Sequence, residues 1–235
     1  MLAANRLDNI QLFASLAPEE RRNLEKRCRW RRYRSNEQIL DKDSDDHDVY
    51  FVAEGQVQIV NYSMTGREIA LARLQAGSFF GELAAIDGQP RSASVVAVEP
   101  CLLASASPSL FIDLVTRYPG VARGVLAKLC GIVRSCDERI MDLSTLGAVQ
   151  RVYLELLRLG REDASGQLLI AKLPTHKTIA SRASTTRETV ARSISQLTAA
   201  NIMAKHGDGL LVRDREKLEK LAGALAGELG GDLSR

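Results

Sequence analysis

The spacing of apolar and polar positions changes period along the 235-residue chain, and each change marks a new element. After a short helical lead-in, the stretch from Asn36 to Ser107 reads as strands and turns. Val49-Tyr50-Phe51-Val52 leads into Glu54-Gly55, and Val57-Gln58-Ile59-Val60 then alternates apolar and polar side chains, as a half-buried strand does. Thr65-Gly66-Arg67 has the composition of a hairpin turn, and Ala76-Gly77 and Asp87-Gly88 mark further reversals. Short strands at this turn spacing predict an antiparallel barrel or roll.

From Pro108 the period lengthens to that of a helix. Ala122, Leu126, Leu129, Val133, Cys136, Ile140, Leu143 and Gly147 recur at alternating steps of four and three, a heptad seam of more than three repeats. Lys128, Arg134, Glu138 and Arg139 lie off it. So narrow a stripe fits a partner helix better than a helix lying on its own core, and it predicts a homodimer. Beyond the seam, Arg151 to Leu159 is again helical, Arg161 to Gln167 is a polar loop, and Leu168-Leu169-Ile170 reads as a strand. Two helices follow, and Gly207-Asp208-Gly209 with Leu210-Leu211-Val212 forms a small hairpin. Three helices with a flanking hairpin predict a winged helix-turn-helix. The expected fold is therefore α+β: a β-roll domain over residues 1–120, a long dimerisation helix over 121–147, and a C-terminal winged helix-turn-helix over 148–235.

Composition removes several classes without naming one. Hydrophobic residues make up 45% and charged residues 26%, the balance of a soluble globular protein. Only the Gly-rich tail after Leu221 has the composition of a disordered segment. The net charge of +3 is no obstacle to nucleic acid, which needs local basic density rather than a basic whole. No apolar run approaches the ~20 residues of a membrane span. Met1 to Phe13 carries Arg6 and Asp8 where a secretory signal needs an apolar core. Cys28, Cys101, Cys130 and Cys136 form no CxxC pair, and His47, His176 and His206 are far apart, so reduced thiols, no metal site and a cytoplasmic location are expected. Arg21 to Arg34 contains eight Arg and Lys residues around Trp30, which read as a solvated face of the lead-in helix rather than as a polymerase or auxiliary DNA surface.

Two stretches carry chemistry. The first is Phe79-Phe80-Gly81-Glu82-Leu83-Ala84-Ala85-Ile86-Asp87-Gly88-Gln89-Pro90-Arg91-Ser92-Ala93. Arg91 offers a planar fork that can bind two phosphate oxygens, and Glu82 can accept from a ribose 2′-hydroxyl. Gly81 permits close backbone approach, a short helix at Leu83–Ile86 could aim amides inward, and Ser92 adds a hydroxyl and an amide. The second is Thr185-Thr186-Arg187-Glu188-Thr189-Val190-Ala191-Arg192-Ser193-Ile194-Ser195, preceded by a helix that Thr175 caps. Thr185 and Glu188 have capping-box spacing. Val190, Ile194 and Leu197 share one face, while Glu188, Ala191, Arg192 and Ser195 share the other, with Arg187 at its edge. Arginine to guanine and glutamate to cytosine are among the direct contacts of the major groove. No nucleophile–base pair or metal constellation suggests an enzyme.

The first stretch resembles the phosphate-binding cassette of cyclic-nucleotide-binding domains. With the roll, the dimer helix and the winged helix-turn-helix in that order, nearly the whole chain resembles the cyclic-AMP receptor protein, or CRP/FNR, family of transcription regulators. The resemblance implies a cyclic-nucleotide site at Phe80, Gly81, Glu82, Leu83, Ala84, Arg91, Ser92 and Ala93. It also places base-contacting positions on the dimer helix at Cys136 and Asp137, where the cyclic-AMP receptor carries hydroxyl side chains. An ionised Asp137 accepts one bond from adenine or two from guanine, so it leans toward cyclic GMP, whereas the frequency of ligands in the family leans toward cyclic AMP. Cyclic AMP is slightly favoured, as an effector rather than a prosthetic group; a vestigial pocket with constitutive DNA binding is the alternative. The turn carries Ala183 near the place where many members have glycine. Thr186, Arg187, Glu188, Arg192 and Ser195 match the DNA-reading surface. The resemblance implies palindromic DNA with TGTGA-like half-sites about one helical turn apart, and RNA polymerase as a partner.

Overall fold

The structure is a computed structural model, described here over residues 7–64, 66, 68–164 and 166–223. Thr65 and Arg67 of the expected hairpin turn, and the tail from residue 224, lie outside the described residues. The chain divides into two compact units, Met1–Arg134 and Ser135–Arg235.

The first unit is a roll of two four-stranded antiparallel sheets. It begins with a 3-10 turn at Gln11–Phe13 and helix α1 at Pro18–Arg27. Strands β1 (Arg29–Tyr33), β8 (Cys101–Ala106), β3 (Val49–Glu54) and β6 (Phe79–Phe80) form one sheet in that order. Strands β2 (Gln38–Leu40), β7 (Ser94–Ala97), β4 (Gln56–Tyr62) and β5 (Glu68–Gln75) form the other. β8 is buried at every position and runs between β1 and β3, which explains its unbroken run of small and apolar side chains. The core gathers Phe13, Phe51, Phe79 and Phe111 beneath helix α3 (Pro108–Arg117), with Phe13 and Phe51 rings 4.8 Å apart. Helix α2 (Glu82–Asp87) interrupts the strands between β6 and β7.

The basic run from Arg21 to Arg34 is a correction. Only its first half is helix; Arg29–Tyr33 is the edge strand β1, paired residue for residue with β8. Its arginines are answered individually, Arg29 by Asp48, Arg31 by Glu37 at 2.9 Å and Arg32 by Glu54 at 3.2 Å. Flanking charge hid a strand that has only Trp30 and Tyr33 to turn inward.

Helix α4 runs 27 residues from Pro119 to Thr145. Val121 and Val125 are buried in the first unit, whereas the seam side chains Leu126, Val133, Ile140 and Leu143 are 62, 59, 60 and 46% exposed. Gly147, the last position of the expected seam, falls beyond the helix and is the N-cap of α5 (Ala148–Leu159).

The second unit packs α5 against α6 (His176–Arg182), α7 (Arg187–Ala199) and α8 (Arg215–Ala222). Strands β11 (Met203–His206), β12 (Gly209–Val212), β10 (Leu168–Ile170) and β9 (Arg161–Glu162) form the flanking sheet in that order. The polar loop expected at Arg161–Gln167 thus begins as a short strand, and α8 is a further helix. Val152, Leu156, Ile179, Val190, Leu197 and Leu218 close the core.

Candidate functional site

The first cluster surrounds Gly81. Strand β6 delivers Phe80 into the roll, where its ring stacks on Tyr50 at 5.2 Å. Gly81 then takes φ +89°, and a Cβ there would lie 2.7 Å from Arg91 Nη1 and 2.8 Å from the Asp48 carbonyl. Only glycine allows both the left-handed backbone and that approach.

Arg91 is 3% exposed and is enclosed by acceptors. Nη1 donates to the Gly81 carbonyl at 2.9 Å, and Nη2 donates to the Asp48 carbonyl at 2.6 Å and to Asp46 Oδ2 at 2.9 Å. The backbone is clasped as well, with Arg91 N–H on the Ser44 carbonyl and Asp43 N–H on the Arg91 carbonyl. Nε is buried and has no hydrogen-bond partner among the described residues. Asp46 also accepts from Tyr50 at 3.1 Å. Burial pushes the Asp46 carboxyl up, but the Asp48 amide, the Arg91 guanidinium and the Tyr50 hydroxyl outweigh it and hold the group below its usual range. Burial, reinforced by Asp46, pushes the Tyr50 phenol upward.

Glu82, the first residue of α2, is also buried, and its Oε2 accepts from Lys128 of α4 at 2.8 Å. Of the remaining expected positions, Ala84 and Ala93 are buried, while Leu83 and Ser92 are exposed. Phe80, Gly81, Glu82 and Arg91 are therefore brought together. Cys136 and Asp137 are exposed on α4 and belong to the second unit.

Asp46, Tyr50 and Lys128 were not expected here. Lys128 had a legible signal: it continues the buried stripe of Val121 and Val125 at steps of four and three, a place for an apolar side chain. Asp46 had none, because the run Asp41 to Asp48 reads as solvated loop.

The second cluster is the helix-turn-helix. Thr175 caps α6 through its side chain, as expected. The cap of α7 is Thr186 rather than Thr185: the Thr186 hydroxyl accepts from Thr189 N–H at 3.2 Å, while buried Thr185 sends its own N–H to the Ala180 carbonyl. The capping box with Glu188 is accordingly absent. Ser184, beside the expected glycine position, takes φ +50°. Arg151 steadies this turn, donating to the Ala183 and Ser184 carbonyls at 3.0 and 3.2 Å. Beneath it, Arg182 bonds buried Glu155 at 3.0 Å.

Along α7, Val190, Ser193 and Leu197 face the core, whereas Thr186, Arg187, Glu188, Arg192 and Ser195 are exposed. Neither Arg187 nor Arg192 forms a salt bridge or hydrogen bond among the described residues. Glu188 is held below its usual range by its own amide, the Thr186 hydroxyl and Arg187. A groove of about 490 Å³ lies between the starts of α6 and α7, lined by Thr175, His176, Lys177, Arg187, Glu188 and Ala191. A cationic groove with both donors and an acceptor along one helix suits the edges of base pairs flanked by phosphates.

Known proteins share this arrangement. Residues 30–118 match the cyclic nucleotide-binding domain model and residues 150–221 the Crp-like helix-turn-helix domain model. The chain is 33% identical over 215 residues to the cyclic AMP receptor protein of Thermus thermophilus, covering 92% of this chain and 98% of that one. It is 27% identical over 192 residues to the cAMP-activated global transcriptional regulator CRP of Escherichia coli (strain CFT073), covering 79% and 90%. The crystal structure of the Thermus thermophilus catabolite activator protein aligns at 32% identity with a TM-score of 0.52, over 91% of this chain and 99% of that one. No helix among the described residues is long and apolar enough to cross a membrane. The chain belongs to the CRP/FNR family, whose members are DNA-binding transcription regulators and not enzymes.

Proposed function

We propose that this regulator is switched by a purine cyclic mononucleotide, cyclic AMP slightly ahead of cyclic GMP, and that it binds palindromic DNA as a homodimer. The observation that carries the ligand is Arg91, a guanidinium 3% exposed whose buried Nε–H has no partner among the described residues. An orphaned donor on a buried cation costs stability unless something completes it, and a cyclic phosphodiester oxygen has the charge and geometry to do so. Glu82 supplies the acceptor for the ribose, and Phe80, Gly81, Leu83, Ala84, Ser92 and Ala93 complete the cassette. Cys136 and Asp137 are proposed to meet the base.

Dimerisation is supported by the apolar stripe Leu126, Val133, Ile140 and Leu143, about half or more exposed in the single chain. Such a heptad stripe is buried by a second copy of the same helix. DNA reading is assigned to Thr186, Arg187, Glu188, Arg192 and Ser195, with TGTGA-like half-sites. RNA polymerase is the partner expected of a regulator of this kind, and the cytoplasm its place of work. Gating requires the ligand to prefer one arrangement of the dimer, by an amount typically of about 1–3 kcal/mol.

A second reading is favoured by one observation. Asp46, two carbonyls and Lys128 already answer most of the charge in the pocket, as they would in a ligand-independent regulator. Calorimetric titration with cyclic AMP, cyclic GMP and cyclic di-GMP, each followed by anisotropy on a TGTGA palindrome, separates the two. The expected result is micromolar-range binding of one mononucleotide and at least about tenfold tighter DNA binding in its presence, the span of ordinary coupling energies. DNA affinity indifferent to every nucleotide would establish the second reading.

A further inference from the structure

Lys128 bears on the pocket from outside the cassette. Its ammonium donates to Glu82 Oε2 at 2.8 Å and to the Phe79 carbonyl at 2.5 Å, and it stands 4.0 Å from the centroid of the Phe79 ring. Two hydrogen bonds and an aromatic face account for most of what an ammonium can engage. One side chain of α4 thus grips the chain on both sides of Gly81, at Phe79 of β6 and at the first residue of α2.

The burial is unequal. The Glu82 side chain is 4% exposed and that of Lys128 is 20% exposed. A side chain so enclosed needs a hydrogen-bonding partner, and the Lys128 ammonium supplies it. Burial pulls the Lys128 ammonium toward losing its proton, and Glu82 opposes that loss. Oε1 of Glu82, by contrast, accepts no hydrogen bond among the described residues. A carboxylate held by one oxygen with the other unoccupied is a fixed acceptor, because the ion pair removes the rotamer freedom that would otherwise be lost on binding.

We infer that Lys128 is a positioning residue for sugar recognition: it anchors Glu82 by Oε2 so that Oε1 meets a ribose 2′-hydroxyl, and thereby sets the preference for ribose over deoxyribose. The inference rests on the reading of Glu82 as the ribose acceptor. It also gives α4 a share in ligand recognition, exerted through Glu82 by a charge that lies off the dimer seam.

The test is calorimetric titration of the full-length protein with cyclic AMP and with 2′-deoxy cyclic AMP, for wild type, Lys128→Met, Lys128→Arg, Glu82→Gln and the double variant Glu82→Gln/Lys128→Met. Wild type is expected to favour the ribose form by about tenfold or more, the worth of one hydrogen bond to a charged group. Lys128→Met should bring the two affinities within about threefold, and Lys128→Arg should restore most of the difference. The double variant should match Glu82→Gln alone, since Lys128 acts through that carboxylate. It leaves no buried carboxylate unpaired, so the comparison survives if Lys128→Met alone does not fold. A folded Lys128→Met protein that keeps the full preference overturns the inference, as does a double variant that discriminates less than Glu82→Gln. Tighter cyclic AMP binding by Lys128→Met would make Lys128 a plug instead. If wild type binds neither these two nor cyclic GMP, the reading of the pocket itself falls; if it binds cyclic GMP alone, the same comparison is run with cyclic GMP and its 2′-deoxy form.

Discussion

Arg91 and Arg187 are each flanked by carboxylates in their own unit, yet the molecule treats them oppositely. Arg91 is buried, with two nitrogens answered by Gly81, Asp48 and Asp46 before any ligand arrives. Arg187 is exposed at the start of α7, with no hydrogen bond or salt bridge among the described residues. A site built from buried charges is also part of the core, so damage to it reaches both binding and folding. A site built from exposed charges on a capped helix is carried by a scaffold that does not need it. The two regions should therefore separate cleanly under mutation.

The largest effect is expected at Arg91. Arg91→Ala should weaken cyclic-nucleotide binding by about one to two decades, from the loss of a charge-assisted bond of roughly 1.5–3 kcal/mol. It should also lower the stability of the first unit by roughly 2–3 kcal/mol, because Asp46 and two carbonyls lose their donor. Calorimetry reads the first quantity and thermal melting the second. Unchanged affinity would remove Arg91 from the site, and lost affinity with unchanged melting would break the contrast with α7.

Arg187→Ala comes next. Affinity for the palindrome should fall about ten- to hundredfold, the range of a lost bidentate base contact, with nucleotide affinity and melting temperature unchanged. A drop in melting temperature would mean that α7 is less independent of its functional face than its exposure indicates.

The same contrast governs what could be read from sequence. The β-roll, the long helix, the hairpin and the family to which the two motif stretches belong were legible because Val49–Val52, Val57–Val60, the heptad side chains and the motifs each obey one local period or pattern. Contacts made across the fold were not. Asp46 reaches Arg91 from a sequence separation of 45, out of a loop whose acidic composition has an ordinary meaning at a surface. β1 was hidden because an edge strand exposes most of its side chains, and arginines on it look like those on a helix. The cap at Thr186 was misplaced by one residue because Thr185 and Thr186 are chemically interchangeable, and only the path of the turn decides which hydroxyl faces Thr189.

Asp46→Asn sharpens the comparison with a smaller effect of the opposite sign. On the proposed reading a ligand phosphate shares Arg91 with the Asp46 carboxylate, which accepts from Nη2 at 2.9 Å, and removing that charge should tighten nucleotide binding about fivefold, corresponding to roughly 1 kcal/mol of relieved repulsion. Stability should move the other way. Asp46 is held below its unfolded value, so its contribution is present above about pH 4 and is lost as pH falls through the folded value. Acid melting curves of wild type should thus decline more steeply below about pH 4 than those of Asp46→Asn. Weaker binding in the variant would show that Asp46 aims Arg91 rather than competing for it.

The smallest effect belongs to the buried carboxylate of the second unit, and its sign is reversed from that of Asp46. Glu155 bonds Arg182 at 3.0 Å, but burial dominates and pushes its carboxyl above the usual range. A raised carboxyl favours folding in its protonated form. That contribution is complete below about pH 4.3 and disappears as pH rises through the folded value, so at neutral pH the charge is a cost that Arg182 only partly offsets. Glu155→Gln keeps the shape and an acceptor for Arg182 while removing the charge. It should leave the second unit as stable as wild type at pH 8, or more stable by less than about 1 kcal/mol, and should flatten the fall of stability as pH rises above about 4.3. Hydrogen exchange at the buried amides of α5 and α7 reads this unit without interference from the first. A loss of protection at pH 8 would mean that the Glu155–Arg182 pair stabilises the helix-turn-helix on balance, and that buried charge serves the DNA-reading unit as it serves the ligand pocket.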